Sequence, residues 1–307
     1  MNLAPALQQV AAQHAHLLGR KGAARIALIP DEVLQALNAG AVPTANLNEF
    51  LAIDLRQLAP AVARDLGLDP THERLQDTLA MLGSFKPMKR HGLIAHALYD
   101  MTAHSPHPDA VAQRLATHPS DVARGWACDW VRWSAWPLAR QLQAQQRFAA
   151  DPHFGVRELA WAALRDQVVG ELDTALALLQ PWVQDANENI RRFASELTRP
   201  KGVWCAPIRA LQAEPQRALH LLEPLKADPS RYVQNSVANW LNDASKTQGP
   251  WVEQVCKRRR AWPRNTSYAG PGARSTKPLC RSHPCWRCAP RLSADHRLLG
   301  KLPQGGV

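Results

Sequence analysis

At 307 residues with 46% apolar content, the chain is long enough for one elongated domain or two compact ones and has an ordinary globular composition. No run of 18 or more apolar residues occurs, which excludes a helical membrane span. The net charge of +11 resides in the last segment: from Lys257 onward there are 12 Lys+Arg and one acid, Asp295, while residues 1–256 hold 25 bases and 25 acids, so nucleic-acid binding by the body has to rest on local clusters.

The chain opens on MNLAPALQQVAAQHAHLL, which lacks the basic stretch and solid apolar block of a signal peptide. A cytoplasmic protein is therefore expected. The body is dense in Ala, Leu, Gln, Arg and Glu, without alternating β-branched runs, and its prolines sit at segment edges. This predicts an all-α fold. Cys128, Cys205 and Cys256 are scattered as buried free thiols usually are.

From residue 118 a repeat emerges. HPSDVARGWACDWV, ADPHFGVRELAWAAL, DANENIRRFASEL and ADPSRYVQNSVANWL align on Val122, Val156, Ile190 and Val233, spaced 34, 34 and 43 residues apart. In the last three, Asp151, Asp185 and Asp228 lie five residues before the anchor, positioned to cap the helix through free backbone N–H groups. Leucine-rich segments, LDTALALLQPWV and PQRALHLLEPLK, fall between. Helix pairs at this period describe an α-solenoid of HEAT type with a concave groove.

At about 100° per residue, the core stripes are Val156, Leu159, Ala160, Ala163 and Leu164; then Ile190, Phe193, Ala194 and Leu197; then Val233, Ser236, Val237 and Trp240. The opposite faces form columns. Two after the anchor stand Arg124, Glu158, Arg192 and Asn235, and nine after it Arg165, Arg199 and Asn242. Five and six after it stand Trp161 and Ala162, Ser195 and Glu196, Ala238 and Asn239. An indole opposite a core stripe packs on a neighbouring helix or on a nucleotide. Arg191, Arg192, Arg199 and Lys201 form the body's strongest basic cluster, suited either to phosphate contact or to salt bridges between repeats with Asp185, Glu188 and Glu196.

After Lys257 the composition changes: six prolines and five glycines follow from Pro263 onward, with no helical periodicity. Residues 1–256 are thus read as one repeat domain and 257–307 as a basic tail. Three readings of that tail stand open: a disordered DNA-binding extension, a zinc site at Cys280, His283, Cys285 and Cys288, or a frameshifted end. The cysteine spacing is cramped for zinc, and no metal or cofactor is expected.

HFGVRELAW (153–161), NIRRFASELTRPKGVW (189–204) and YVQNSVANWLNDASK (232–246) resemble the HEAT-repeat DNA alkylation repair proteins, the AlkC/AlkD-like glycosylases. The blocks HPSDVARGWA and RIALIPDEVLQALNAG add to the resemblance, which covers roughly residues 20–256. It implies a monomer that excises cationic alkylpurines, such as N3-methyladenine or N7-methylguanine, from double-stranded DNA without flipping them, associating with the nucleoid when bound. Such a base leaves readily because it is charged. A carboxylate then has only to stabilise the oxocarbenium-like sugar and position a water. By the resemblance Glu158 is the catalytic carboxylate and Glu196 a second one. Arg157, Trp161, Arg165, Arg191, Arg192, Arg199, Lys201 and Asn239 are the candidate DNA contacts. Two other classes remain: a non-catalytic solenoid that binds distorted or branched DNA, and a scaffold for protein partners.

Overall fold

The computed structural model describes residues 13–202 and 205–260, with the side chains of 258–260 left out. Among the described residues all regular structure is helical, and no helix is long and apolar enough to cross a membrane. The packing falls into two units, Met1–Gln167 and Val168–Val307.

The first unit holds α1 (Asp31–Asn38), α2 (Leu47–Ala52), α3 (Leu55–Leu66), α4 (Glu73–Met81), α5 (Pro87–Ala103), α6 (Pro108–Ala116), α7 (Asp121–Trp133), α8 (Leu138–Ala149) and α9 (Phe154–Ala163). Helix α4 packs on α5, α6 on α7, and α8 on both α7 and α9, while α5, α7 and α9 pack side by side. This is the pairwise stacking that the repeat predicts. Hydrogen bonds run between layers as well as apolar contacts. Trp130 Nε1 on α7 donates to the Ala95 carbonyl of α5 at 2.9 Å. Gln145 Nε2, buried on α8, donates to the Ala160 carbonyl of α9 at 2.7 Å.

Helix α10 (Arg165–Gly170) carries the boundary between the units. The second unit continues with α11 (Leu172–Leu179), a 3-10 turn at Pro181–Gln184, α12 (Glu188–Leu197), α13 (Arg209–Ala213), α14 (Leu219–Leu225) and α15 (Arg231–Arg260). Helix α12 packs on α15, and Trp240 Nε1 donates to the Thr198 carbonyl just past α12 at 3.0 Å. Within α15 Gln248 leaves helical geometry (φ −131°, ψ 50°) two residues before Pro250, whose ring and missing N–H disrupt the preceding turn. The helix runs on to Arg260, so the compositional break at Lys257 is not the helix end. The proposed zinc residues and most of the tail lie outside the described residues.

The expected core stripes are buried throughout α12 and the first part of α15, and on α9 at Val156, Ala160, Ala163 and Leu164. Two details of the repeat differ from expectation. The acids before the anchors do not cap the helices directly. Asp151, Asp185 and Asp228 each accept from the N–H two residues on, at 2.7–2.8 Å. That shapes the turn, and the caps are the next side chains: His153 accepts from Gly155 N and Asn187 from Asn189 N. The first anchor is also one residue out. Arg124, Arg157 and Arg191 each donate from Nη1 to the carbonyls six and five residues earlier, His118 and Pro119, Asp151 and Pro152, Asp185 and Ala186. They are therefore equivalent, and Glu158 corresponds to Gly125, Arg192 and Asn235.

Where α5 meets α7, a buried His91 lies 3.8 Å from Asp129. Burial pushes the imidazole down to about 4, against a weaker effect of the Gly125 backbone, and pushes the Asp129 carboxyl up to about 6 despite Arg132. The linkage signs oppose. As pH falls from about 6.5 to 4, the unfolded chain takes up the His91 proton first and the fold weakens. As pH falls from about 6 to 4, the folded chain takes up the Asp129 proton first and the fold strengthens. Asp129→Asn removes only the second effect. Lowering pH from 6.5 to 4.5 will therefore destabilise this variant more than wild type, by about 2 kcal/mol in urea unfolding midpoints, whereas equal losses contradict the assignment.

Candidate functional site

Glu158 sits in the first half of α9, half-buried. The start of this helix is fixed from the far end of the unit. Thr44, in the loop before α2, donates from its N and Oγ1 to the buried Asp121 carboxylate at 2.8 and 2.9 Å. His153 joins the same group: Nε2 donates to the Thr44 carbonyl at 2.6 Å, while Nδ1 accepts from Gly155 N at 3.1 Å and caps α9. Gly125 completes the seat, because a Cβ there would come within 2.4 Å of Leu159 Cδ1 and 3.0 Å of His91 Cε1. The helix that carries Glu158 thus approaches α7 where α7 has no side chain.

Trp161 departs from its expected outward position. It is 3% exposed, and its Nε1 donates to Glu158 Oε2 at 3.0 Å. The buried indole hydrogen-bonds the carboxylate instead of offering a face to a nucleotide. Arg165, expected on the outer column, is 1% exposed. Arg157 holds the turn ahead of its own helix through the Asp151 and Pro152 carbonyls. An aromatic that does stand open on this helix is Phe154, one turn before Glu158 and 43% exposed, which was not among the expected site residues. Its position two residues before the anchor, off the core stripe, was the available signal.

The second unit gathers the charges of NIRRFASELTR (189–199) into a buried network. Glu196 is 2% exposed and receives Arg192 on Oε1 at 3.3 Å and Arg199 on Oε2 at 3.2 Å. Arg199 continues to Asp243 at 2.9 Å, and the Arg192 guanidinium lies 4.2 Å from the Tyr232 ring centre. Burial alone would push the Glu196 carboxyl up, but Arg192 and Arg199 outweigh it and hold it below the ordinary carboxylate range. Burial pulls Arg199 down, and Glu196 and Asp243 more than compensate. Arg191 grips Asp228 with two bonds of 2.6 and 2.9 Å.

Glu196, expected as a second site carboxylate, is buried in this network, and Arg191, Arg192 and Arg199, expected as a phosphate strip, are engaged by Asp228, Glu196 and Asp243. Three arginines and three acids, buried or half-buried, compensate one another, as the low-dielectric interior requires. Inter-repeat bridging applies, with Asp228 and Asp243 as partners beside Glu196. Of the expected contacts, Lys201 is exposed and Asn239 half-buried. The single-stripe template fails for a physical reason: in a stack each inner helix packs against its pair and against neighbours on both sides. Ser195 on α12, well off the core stripe, meets Ser236 of α15 at 2.5 Å between hydroxyls.

Glu196→Gln leaves Arg192 short of a counter-charge inside the unit. It should cost about 3 kcal/mol in urea unfolding, far more than an exposed Glu→Gln change; a cost below about 0.5 kcal/mol, typical of exposed pairs, contradicts the structural role.

Comparisons with known proteins agree with this architecture. The sequence model described as DNA alkylation repair enzyme matches residues 156–268. Uncharacterized protein YhaZ of Bacillus subtilis is 44% identical over 93 residues, 30% of this chain and 26% of that protein. Among solved structures, Pseudomonas fluorescens alkylpurine DNA glycosylase AlkC bound to DNA containing an abasic site analog is similar with a TM-score of 0.55 and 24% identity, over 68% of this chain and 56% of that one. The chain thus spans about a quarter of the length of one relative and about half of the other. The chain thus matches the DNA alkylation repair enzyme model over residues 156–268 and shares its fold with the glycosylase structure.

Proposed function

We propose that the protein is a DNA glycosylase that releases cationic alkylpurines from duplex DNA, with Glu158 as the carboxylate at the sugar. The observation that carries this reading is the Glu158 carboxylate held by Trp161 Nε1 at 3.0 Å, on a helix end that is itself tied down through His153, Asp121 and Thr44. Catalysis by placed charge needs such rigidity, because a misplaced group stabilises little. The substrate class draws support from the family match and from the alkylpurine glycosylase of similar fold.

The chemistry asks little else of the chain. An N3- or N7-alkylated purine carries positive charge and departs as a neutral base, taking the glycosidic electron pair, without a general acid. The sugar left behind is oxocarbenium-like. Glu158 lies against it, stabilises its charge and orients the water that attacks C1′. Trp161 acts as a positioning residue on the carboxylate, and Phe154 is an accessible side chain on the same helix for the duplex.

A second reading, a repeat protein that binds without cutting, draws on one observation: Arg191, Arg192 and Arg199 are engaged by Asp228, Glu196 and Asp243. It predicts no base release by wild type.

Release of methylated bases from alkylated duplex DNA separates the readings. Wild type should release them, and Glu158→Gln should lower the single-turnover rate by about 10² to 10⁴-fold with DNA affinity retained. Trp161→Phe keeps the ring and deletes one hydrogen bond, so a loss of about tenfold or less is expected. An active Glu158→Gln protein, or an inert wild type, overturns the proposal.

A further inference from the structure

Helix α8 contains no acid: its sequence is LARQLQAQQRFA. Leu138, Gln141, Leu142, Gln145, Phe148 and Ala149 are its buried positions. Arg140, Gln143 and Arg147 are exposed along the other side, and from Arg140 to Arg147 that side runs about 10 Å at 1.5 Å per residue. The loop leading into α8 presents Trp136, 38% exposed. The Arg140 guanidinium lies over its ring, 4.2 Å from the centroid. Behind this corner the half-buried Trp133 is packed edge-on by His96 at 4.9 Å, and Arg132 lies 5.5 Å from its ring centre.

We propose that this corner and the outer side of α8 bind single-stranded nucleic acid, one base stacking on Trp136 and the following phosphates lying along Arg140 and Arg147. Arg140 covers one face of the Trp136 ring; the indole remains 38% exposed, and that exposed part is what a flat partner can cover. Behind the corner Arg132 and His96 are paired with Asp129 and Asp100, so the selecting charges are Arg140 and Arg147, the latter resting on the neutral Gln113 amide; on a helix with no acid they select a polyanion that carries such flat groups. Stacking on tryptophan needs a base free of its duplex neighbours, which specifies a single strand. A protein partner would want an apolar patch core of several side chains, and here one ring stands in a field of Arg and Gln.

This surface is not the one that carries Glu158. Gln145 of α8 donates to the Ala160 carbonyl, so α8 lies on the Ala160 side of α9, and Glu158, two residues earlier, is turned about 200° from it. The inference therefore does not depend on base excision. It gives the protein a hold on an unpaired strand separate from its proposed duplex site.

The test is fluorescence anisotropy of a labelled oligothymidylate with the full chain, at low and at moderate salt. Screening weakens contacts made by charge alone, the basic residues after Lys257 included, more than it weakens stacking. At moderate salt Trp136→Ala should weaken binding about tenfold and Trp136→Phe much less. Arg140→Ala with Arg147→Ala should reduce the slope of log affinity against log salt by about 1.4. Thermal melts of these exposed-site variants should match wild type. Absence of oligothymidylate binding by wild type, equal affinities for wild type and Trp136→Ala, or an equal loss in the Phe and Ala variants overturns the proposal. Base release unchanged in Trp136→Ala while oligothymidylate affinity falls supports it. If wild type releases no base yet Trp136→Ala still loses the strand, the glycosylase reading fails and this one holds.

Discussion

The arginine at the start of the inner helix is the contact on which the repeat depends. Arg124 and Arg191 each hold their own entry turn through two carbonyls and reach the aspartate of the next turn, Asp151 at 2.8 Å and Asp228 at 2.6 Å. That aspartate in turn accepts from its own backbone two residues on. One guanidinium thus fixes the helix entry and the spacing to the next repeat with charge-assisted bonds. A buried or half-buried charge must be paired, so each arginine brings an acid with it.

The consequence reaches the functional reading. In a repeat stabilised by Arg–Asp clamps, arginine columns are a construction feature. The cluster at Arg191, Arg192 and Arg199 belongs to it and extends it through Glu196 and Asp243. Glu158 does not follow the pattern. Its structural equivalents are Gly125, Arg192 and Asn235, so it is the one acid in its column. Its Oε2 accepts from the indole N–H of Trp161 on its own helix. That departure from the repeat is what singles it out for the proposed role.

Much of the architecture was legible because apolar periodicity survives in each repeat: Ile190, Phe193, Ala194 and Leu197 are all buried where about 100° per residue places them. The one-residue slip in the first repeat has a simple origin. Val122 and Ala123 are both apolar and both buried, so either serves as anchor by hydropathy. Only the reach of Arg124 to the His118 and Pro119 carbonyls settles the register. The faces were harder to read. Trp161, Arg165, Ser195 and Glu196 are off the core stripe yet buried, because stacking buries three sides of an inner helix. The link from Thr44 through Asp121 to His153 spans 109 residues, and nothing in local sequence announces it.

The central claim is chemical: a placed carboxylate without a general acid removes a base that already carries positive charge. Base release from one duplex sequence holding either N7-methylguanine or a neutral lesion such as uracil tests it most directly. The account predicts release of the methylated purine by wild type and none of uracil above the uncatalysed rate. Release of both at similar rates, or of neither, would contradict it.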